Sequence, residues 1–269
     1  TLPAESATLA GTGTDSDGEI VAYLWSQVSG PGSTTIVNPG SPSTLIEGFV
    51  EGSYVFQLMV TDEDGATGVD TTRVTVVPPL IKTLTLQPSN NSLEFVVAVF
   101  NGTNQTGSGS LDIPLAAWTN GGLPVTIREV IKFDLSSIPA NATIQSANLY
   151  LYSYPAPTLN GNFTDANFGT NNSMLVQQIV SNWTPANIGW FTQPATTTAN
   201  QINIPTTTQS TLDLDLNVKN IVSSMVSANA NYGFLLKLQN EVAYTSRIFV
   251  SSYNTTYPAK RPKLVVVYH

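Results

Sequence analysis

Arg128-Glu129-Val130-Ile131-Lys132-Phe133-Asp134-Leu135 is a stretch in which side chains of opposite character succeed one another. Successive residues of an extended strand point to opposite faces, so Glu129, Ile131, Phe133 and Leu135 share one mostly apolar face, and Arg128, Val130 and Lys132 share the other. Ala147-Asn148-Leu149-Tyr150-Leu151-Tyr152 repeats the division, with the leucines inward and Tyr150, Tyr152 and the later Tyr154 outward. Gly233-Phe234-Leu235-Leu236-Lys237-Leu238 does so again: Phe234, Leu236 and Leu238 face inward, and Leu235, Lys237 and Gln239 face the other way. Together with Ser92–Val99, Arg247–Val250 and Lys263–Tyr268, these runs are separated by long Asn/Gly/Thr loops. That pattern predicts an antiparallel sandwich of jelly-roll type. One short helix is expected to plug it, with Asn217 capping Val218 to Met225, where Val218, Ile221, Val222 and Met225 recur at helical spacing.

N-terminal to this region lies a second set of strand signals: Ile20–Trp25, Gly52–Val60 and Thr71–Val77, bounded by Gly, Pro and acidic turns. They predict a small sandwich with Trp25 in its core. Charge separates the two regions. Residues 1–80 carry ten acids against the single base Arg73, whereas residues 81–269 carry nine bases and eight acids. The change falls at Pro78-Pro79, so the chain divides into residues 1–79 and 80–269.

Only 10% of the 269 residues are charged, 41% are hydrophobic, and there is no cysteine. Such a profile suits an extracellular β-protein solvated by hydroxyl and amide groups, and the chain reads as a fragment of a longer secreted or cell-surface protein. No stretch is long and apolar enough for membrane insertion, and no basic stripe is present to engage nucleic acid. A single histidine, His269, and the lack of cysteine leave no imidazole-based triad or zinc site. The carboxylates Glu94, Asp112, Glu129, Asp134 and Asp165 show no pairing of the kind glycoside hydrolysis uses. The chain is therefore expected not to be an enzyme, and to be a monomer.

Asp15-Ser16-Asp17-Gly18 and Asp62-Glu63-Asp64-Gly65 place carboxylates at alternate positions before a glycine. That spelling suits a hairpin turn, and it equally suits hard oxygen ligands for Ca²⁺. Within residues 5–77, the sequence DSDGEIVAYLWSQVSGPG, then GSYVFQLMVTDEDGATG, then a Val/Thr strand resembles the PKD and REJ-like domains appended to bacterial secreted enzymes and adhesins. The resemblance implies an immunoglobulin-like fold and a structural Ca²⁺ at Asp15, Asp17, Asp62 and Asp64. The alternative is a set of solvated turn carboxylates.

In the second region, Ile131–Pro139 followed by Ile144–Tyr152 is similar to the DNRLRE domain family. Trp183, Trp190 with Gln193-Pro194, Asn231–Phe234, Phe249–Ser252 and Arg261–Leu264 agree with it in order. Two departures are Ile188-Gly189-Trp190, where Val-Thr-Trp is usual, and the Gly/Thr/Asn stretch Asn101–Ser110. Relatives classed as carbohydrate-binding module family 96 bind alginate, so the resemblance implies a β-sandwich that binds an acidic or neutral polysaccharide.

If the strands share one sheet, its outer face is a platform of Arg128, Lys132, Tyr150, Tyr152 and Lys237. Aromatic rings there would stack on sugar C–H faces, and cationic or amide groups would bind hydroxyls or carboxylates. An ordinary solvated face with long amphipathic side chains accounts for the same periodicity. Trp118, in the loop-like Ala117–Gly122, is expected as an exposed stacking ring. Trp183 and Trp190 are expected in the core. Arg247 either joins the platform or pairs with a loop carbonyl. The Leu159–Ser173 segment is oxygen-rich enough for a second Ca²⁺, though it also reads as an ordinary Asn/Gly loop. Two functions follow: a non-catalytic polysaccharide-binding module on a PKD-like spacer, or a stalk or adhesin segment with no specific glycan.

Overall fold

The computed structural model describes residues 6–155, 157 and 165–269. The chain forms two compact units, residues 1–80 and 81–269.

The first unit is a sandwich of two three-stranded sheets. Strands β1 (Ser6–Ala10), β4 (Ser43–Glu47) and β3 (Thr35–Ile36) form one sheet; β2 (Ile20–Ser29), β5 (Gly52–Asp62) and β6 (Thr67–Val76) form the other. Alternation in β5 buries Tyr54, Phe56 and Leu58 against Leu9, Trp25, Ile46, Phe49 and Val76. The two polar tips among these aromatics are satisfied. The Trp25 indole donates to the Ser41 carbonyl at 3.1 Å, and the Tyr54 hydroxyl bridges the N–H and C=O of Val50 at 2.8 and 3.1 Å. Both rings therefore enter the core without stranding a donor.

The second unit is a curled β-sandwich. Its smaller sheet has the order β16 (Leu214–Asn217), β12 (Ile144–Leu151), β19 (Lys263–Tyr268), β7 (Lys82–Leu86). The larger, nine-stranded sheet runs β13 (Asn167–Phe168), β18 (Thr245–Val250), β10 (Asp112–Asn120), β11 (Leu123–Ile131), β17 (Phe234–Leu238), β14 (Met174–Ile179), β15 (Thr196–Ile204). It branches at β11, which also pairs with β8 (Glu94–Phe100), itself paired with β9 (Thr103–Gly107). The Gly/Thr/Asn stretch after Phe100 is thus a strand with every side chain exposed.

One core lies between the sheets. Ile131 and Phe133 from the β11 segment meet Ala147, Leu149 and Leu151 of β12, and Phe234, Leu236 and Leu238 of β17. Helix α1 (Lys219–Ser227) closes this core with Ile221, Val222, Met225 and Val226, and Val218 just before it is equally buried. The N-cap is Val218 rather than Asn217 and has no side-chain cap; Asn217, one residue earlier, accepts the Lys219 N–H at 3.0 Å. Regular pairing of β11 ends at Ile131, earlier than alternation alone extends it, because Asp134 accepts the Ser136 N–H at 2.9 Å and turns the chain.

A second, smaller core covers part of the outer face of the large sheet. Phe95, Val97, Val130, Ile179 and Leu235 are capped there by Trp183 and Ile188 from the segment that crosses over them. The Trp183 indole donates to the Tyr232 carbonyl at 2.8 Å, which fixes that crossing.

Candidate functional site

The structure divides the predicted platform between two surfaces. Arg128 and Lys237 belong to the nine-stranded sheet, whereas Tyr150 belongs to β12 in the four-stranded one, and Tyr152 follows directly after that strand. Because Ile131 and Leu149 meet in the same core, the residues that alternate with them leave the sandwich on opposite sides. Tyr150 lies opposite Lys263 and Asp215, and the Lys263 ammonium sits 4.4 Å from its ring centroid. Lys132 lies just beyond β11, beside Asp134, Ser136 and Asn231 at the helix end of the sandwich.

On the outer face of the large sheet a connected polar surface does form. Arg128 donates to both carboxylate oxygens of Glu241, at 2.6 and 2.9 Å, and to Gln193 at 3.0 Å. Its guanidinium also stacks 4.4 Å from the Trp190 ring centroid. Trp190 is thus half-buried, packed at the edge of the small core, and it opens the short helical turn Trp190–Thr192 in which Phe191 is 69% exposed. The turn is held from both sides. The Trp190 N–H donates to Asn104 of β9 at 2.5 Å, and the Gln193 amide donates back to the Trp190 carbonyl at 2.9 Å.

Lys237 extends the surface along β17, opposite Leu175 of β14, which in turn lies opposite Asn203 of β15. Burial and the positive charge of Arg128 lower the pKa of Lys237, with Glu241 acting in the opposite sense. Next to it, Gln177 donates to Gln201 at 2.5 Å, Gln201 donates to Asn203 at 2.8 Å, and Thr196 donates to Gln177 at 3.1 Å. A cation paired with Glu241, a second cation with no ion pair among the described residues, a ladder of amides and an exposed ring can together bind hydroxyls, a carboxylate and an apolar sugar face. Glu241, Gln177 and Gln201 carry no signal in sequence, since each is a single polar residue in a loop or strand, whereas Gln193 is marked only by the family spelling it shares with Trp190.

Two expectations are corrected. Trp118 lies in β10 rather than in a loop; the turn is confined to Gly121 and Gly122, whose φ angles of 58° and 82° favour glycine. Its ring is half-buried between Phe168 and Tyr244, with centroids 5.3 Å away in each case. Arg247 is fully buried in β18 and donates to the carbonyls of Asn172 at 2.8 Å and Pro205 at 2.5 Å, which excludes it from any open platform. Burial pushes its pKa down to about 10. In the Leu159–Ser173 segment, residues 159–164 lie outside the described residues. Beyond them, Asn167 and Asn172 donate to loop carbonyls.

In the first unit the two acidic loops do meet, although through a different pair. A Cβ added to Gly18 would stand 2.7 Å from an oxygen of Glu63 and 2.8 Å from one of Asp15, so the tips of these two acidic side chains both reach Gly18. Glu63 also accepts the Glu19 N–H at 3.2 Å, and Asp62 accepts the Ala66 N–H at 2.8 Å within its own turn. Among the described residues no three acidic or histidine side chains are placed to hold one metal ion. The four aspartates therefore do not form a ready cage, and the brought-together carboxylates are Asp15 and Glu63.

The described residues thus form an all-β chain in which a small sandwich is followed by a larger one bearing a polar and aromatic outer face. The profile of carbohydrate-binding module family 96 matches residues 102–268, and the chain belongs to that family. Residues 1–76 match the K319L-like PKD domain. The chain is 32% identical over 106 residues to the dyslexia-associated protein KIAA0319 of Homo sapiens, an alignment covering 39% of this chain and 9% of the relative. It is 41% identical over 63 residues to the KIAA0319-like protein of Mus musculus, covering 23% of this chain and 6% of that one. The chain thus spans less than a tenth of the length of either curated relative. Among solved structures, the PKD domain from KIAA 1837 protein is 34% identical, with 28% of this chain and 74% of that chain covered and a TM-score of 0.26.

Proposed function

We propose that the second domain is a non-catalytic module that binds an acidic polysaccharide across the outer face of the nine-stranded sheet, and that the first domain is its spacer. One observation carries this reading. Arg128 is paired with Glu241, while Lys237 carries its charge with no ion pair among the described residues, on a face that also bears amides and the Trp190–Phe191 turn. That leaves an excess positive charge beside an exposed ring, which a uronate residue complements: its carboxylate meets Lys237 and its C–H face meets Phe191. Arg128 orients Trp190 and Gln193, and Gln201 and Asn203, held from beneath by the buried Gln177, offer hydroxyl partners further along the chain. The module is assigned to the outside of a cell, as part of a longer protein.

The test is affinity electrophoresis of the chain in alginate, pectin and neutral β-glucan gels. Retardation in the acidic gels, weakened by salt, is expected. Equal migration in all gels would remove the binding reading and leave the chain as a mechanical stalk. The preference for an acidic chain fails if the β-glucan gel retards it as strongly.

A further inference from the structure

The interior of the second domain holds three carboxylic side chains that form no ion pair among the described residues. Glu94 opens β8, Asp112 opens β10 and Glu129 lies in β11; they are 3%, 4% and 2% exposed. Glu94 lies opposite Ile131 and Val96 lies opposite Glu129, so both glutamates project from the same face of the β8–β11 pair. Glu94 accepts the Ser252 N–H at 3.1 and 3.2 Å, and one oxygen of Asp112 accepts the Ser110 hydroxyl at 2.8 Å. The second oxygen of Asp112 and Oε2 of Glu129 have no partner.

The positive groups on the surrounding elements are committed elsewhere. Arg128 and Lys237 belong to the outer face described above, and Arg128 is paired with Glu241. Lys132 lies beside Asp134 at the helix end. Arg247 of β18 donates to the carbonyls of Asn172 and Pro205, and Arg261 donates to that of Asn254. The charges that bear most on Glu129 are those of Glu94 and Asp112, both of the same sign. A buried carboxylate with neither cation nor donor becomes neutral by keeping its proton.

We propose that Glu94, Asp112 and Glu129 form a proton-loaded carboxyl cluster that holds the junction of β8, β10 and β11 closed at mildly acid pH and loosens it as the cluster ionises at alkaline pH. The sense of the effect follows from burial. Desolvation raises Glu94 to about 7 from 4.5, and raises Asp112 and Glu129 as well. Between these values the unfolded chain releases protons that the folded chain keeps, so stability falls as pH rises. For Glu94 alone the opening equilibrium changes on the order of a hundredfold. Most domains whose carboxylates are paired show the reverse, losing stability in acid.

The experiment follows amide hydrogen exchange of β8 and β11 in the full chain from pH 5 to 9, corrected for the intrinsic pH dependence of exchange. Alongside it, the infrared carbonyl band of protonated carboxyl groups is recorded at pH 6.5, where solvated carboxyls are ionised. The cluster predicts protection that falls on the order of a hundredfold from pH 5 to 8, and a protonated band that survives at pH 6.5. E129Q should weaken both the band and the pH dependence; if that variant does not fold, E94Q and the wild-type band serve instead. Protection independent of pH, or no protonated band, would overturn the proposal. So would Ca²⁺ restoring protection at pH 8 in wild type but not in E129Q, because a cation rather than protons would then hold the cluster.

Discussion

Replacing Lys237 by methionine removes one charge from the proposed binding face while keeping the apolar stem that lies along β17. Among the described residues Lys237 makes no ion pair, so the change breaks no internal bridge. Its charged form is disfavoured by burial and by Arg128 and favoured only by Glu241. A lysine whose pKa is lowered on folding costs stability at neutral pH, since the unfolded chain holds the proton better. The side chain is partly solvated, so that cost is small, and K237M should melt within about 0.5 kcal/mol of wild type, on the side of greater stability. Binding should respond more strongly. A charge-assisted hydrogen bond to a uronate contributes about 1.5 kcal/mol at a partly exposed site, which corresponds to roughly tenfold in Kd. Isothermal titration with alginate oligosaccharides, beside calorimetric melting, measures both quantities. Unchanged affinity in K237M, with wild type binding normally, would refute the assignment of the face; a stability loss above about 1 kcal/mol would refute the account of the lysine.

Other outcomes follow from the same geometry. Y150A should leave acidic-glycan affinity within about twofold of wild type, because Tyr150 faces away from the large sheet; a larger loss in the same titration would move the binding surface to the four-stranded sheet. R247M keeps most of the side-chain volume but strands the carbonyls of Asn172 and Pro205, and urea unfolding should show a loss of about 2–4 kcal/mol. A result within 0.5 kcal/mol of wild type, on the order of measurement error, would mean the buried guanidinium contributes nothing net. In the first unit, millimolar Ca²⁺ should raise the melting temperature by less than about 4 °C, roughly 1 kcal/mol for a domain of this size. A larger rise, reversed by chelator, would show that Asp15, Asp17, Asp62, Asp64 and Glu63 rearrange into a cage.

Several features were legible without coordinates because they depend on local chemistry. Trp25 and Trp183 are buried as their surroundings suggest, and the helix after Asn217 buries the apolar residues its spacing names. Trp190 was legible only as a framework tryptophan. Its half-exposed setting depends on Arg128 and Asn104, which lie far from it in sequence. Trp118 misled because Gly121-Gly122 gives its neighbourhood the spelling of a loop, while the turn occupies only those two glycines and the strand continues through the tryptophan. The buried acids show no pairing in sequence, because Glu94 and Glu129 come onto one face only through the β8–β11 register. Asp112 of β10 bears on Glu129 through its charge.

By itself, the sequence around Arg128–Leu135 determined which side chains of each strand turn inward, because that depends only on the twofold period of an extended backbone. It also determined the division into an acidic first domain and a near-neutral second one. Tertiary structure alone decided which sheet each strand joins. That choice rests on hydrogen-bonded pairings between residues up to a hundred or more positions apart, such as Val130 with Leu235 and Tyr150 with Lys263. Since the two sheets press their apolar faces together, the same outward alternation places Arg128 and Lys237 on one surface of the sandwich and Tyr150 on the other.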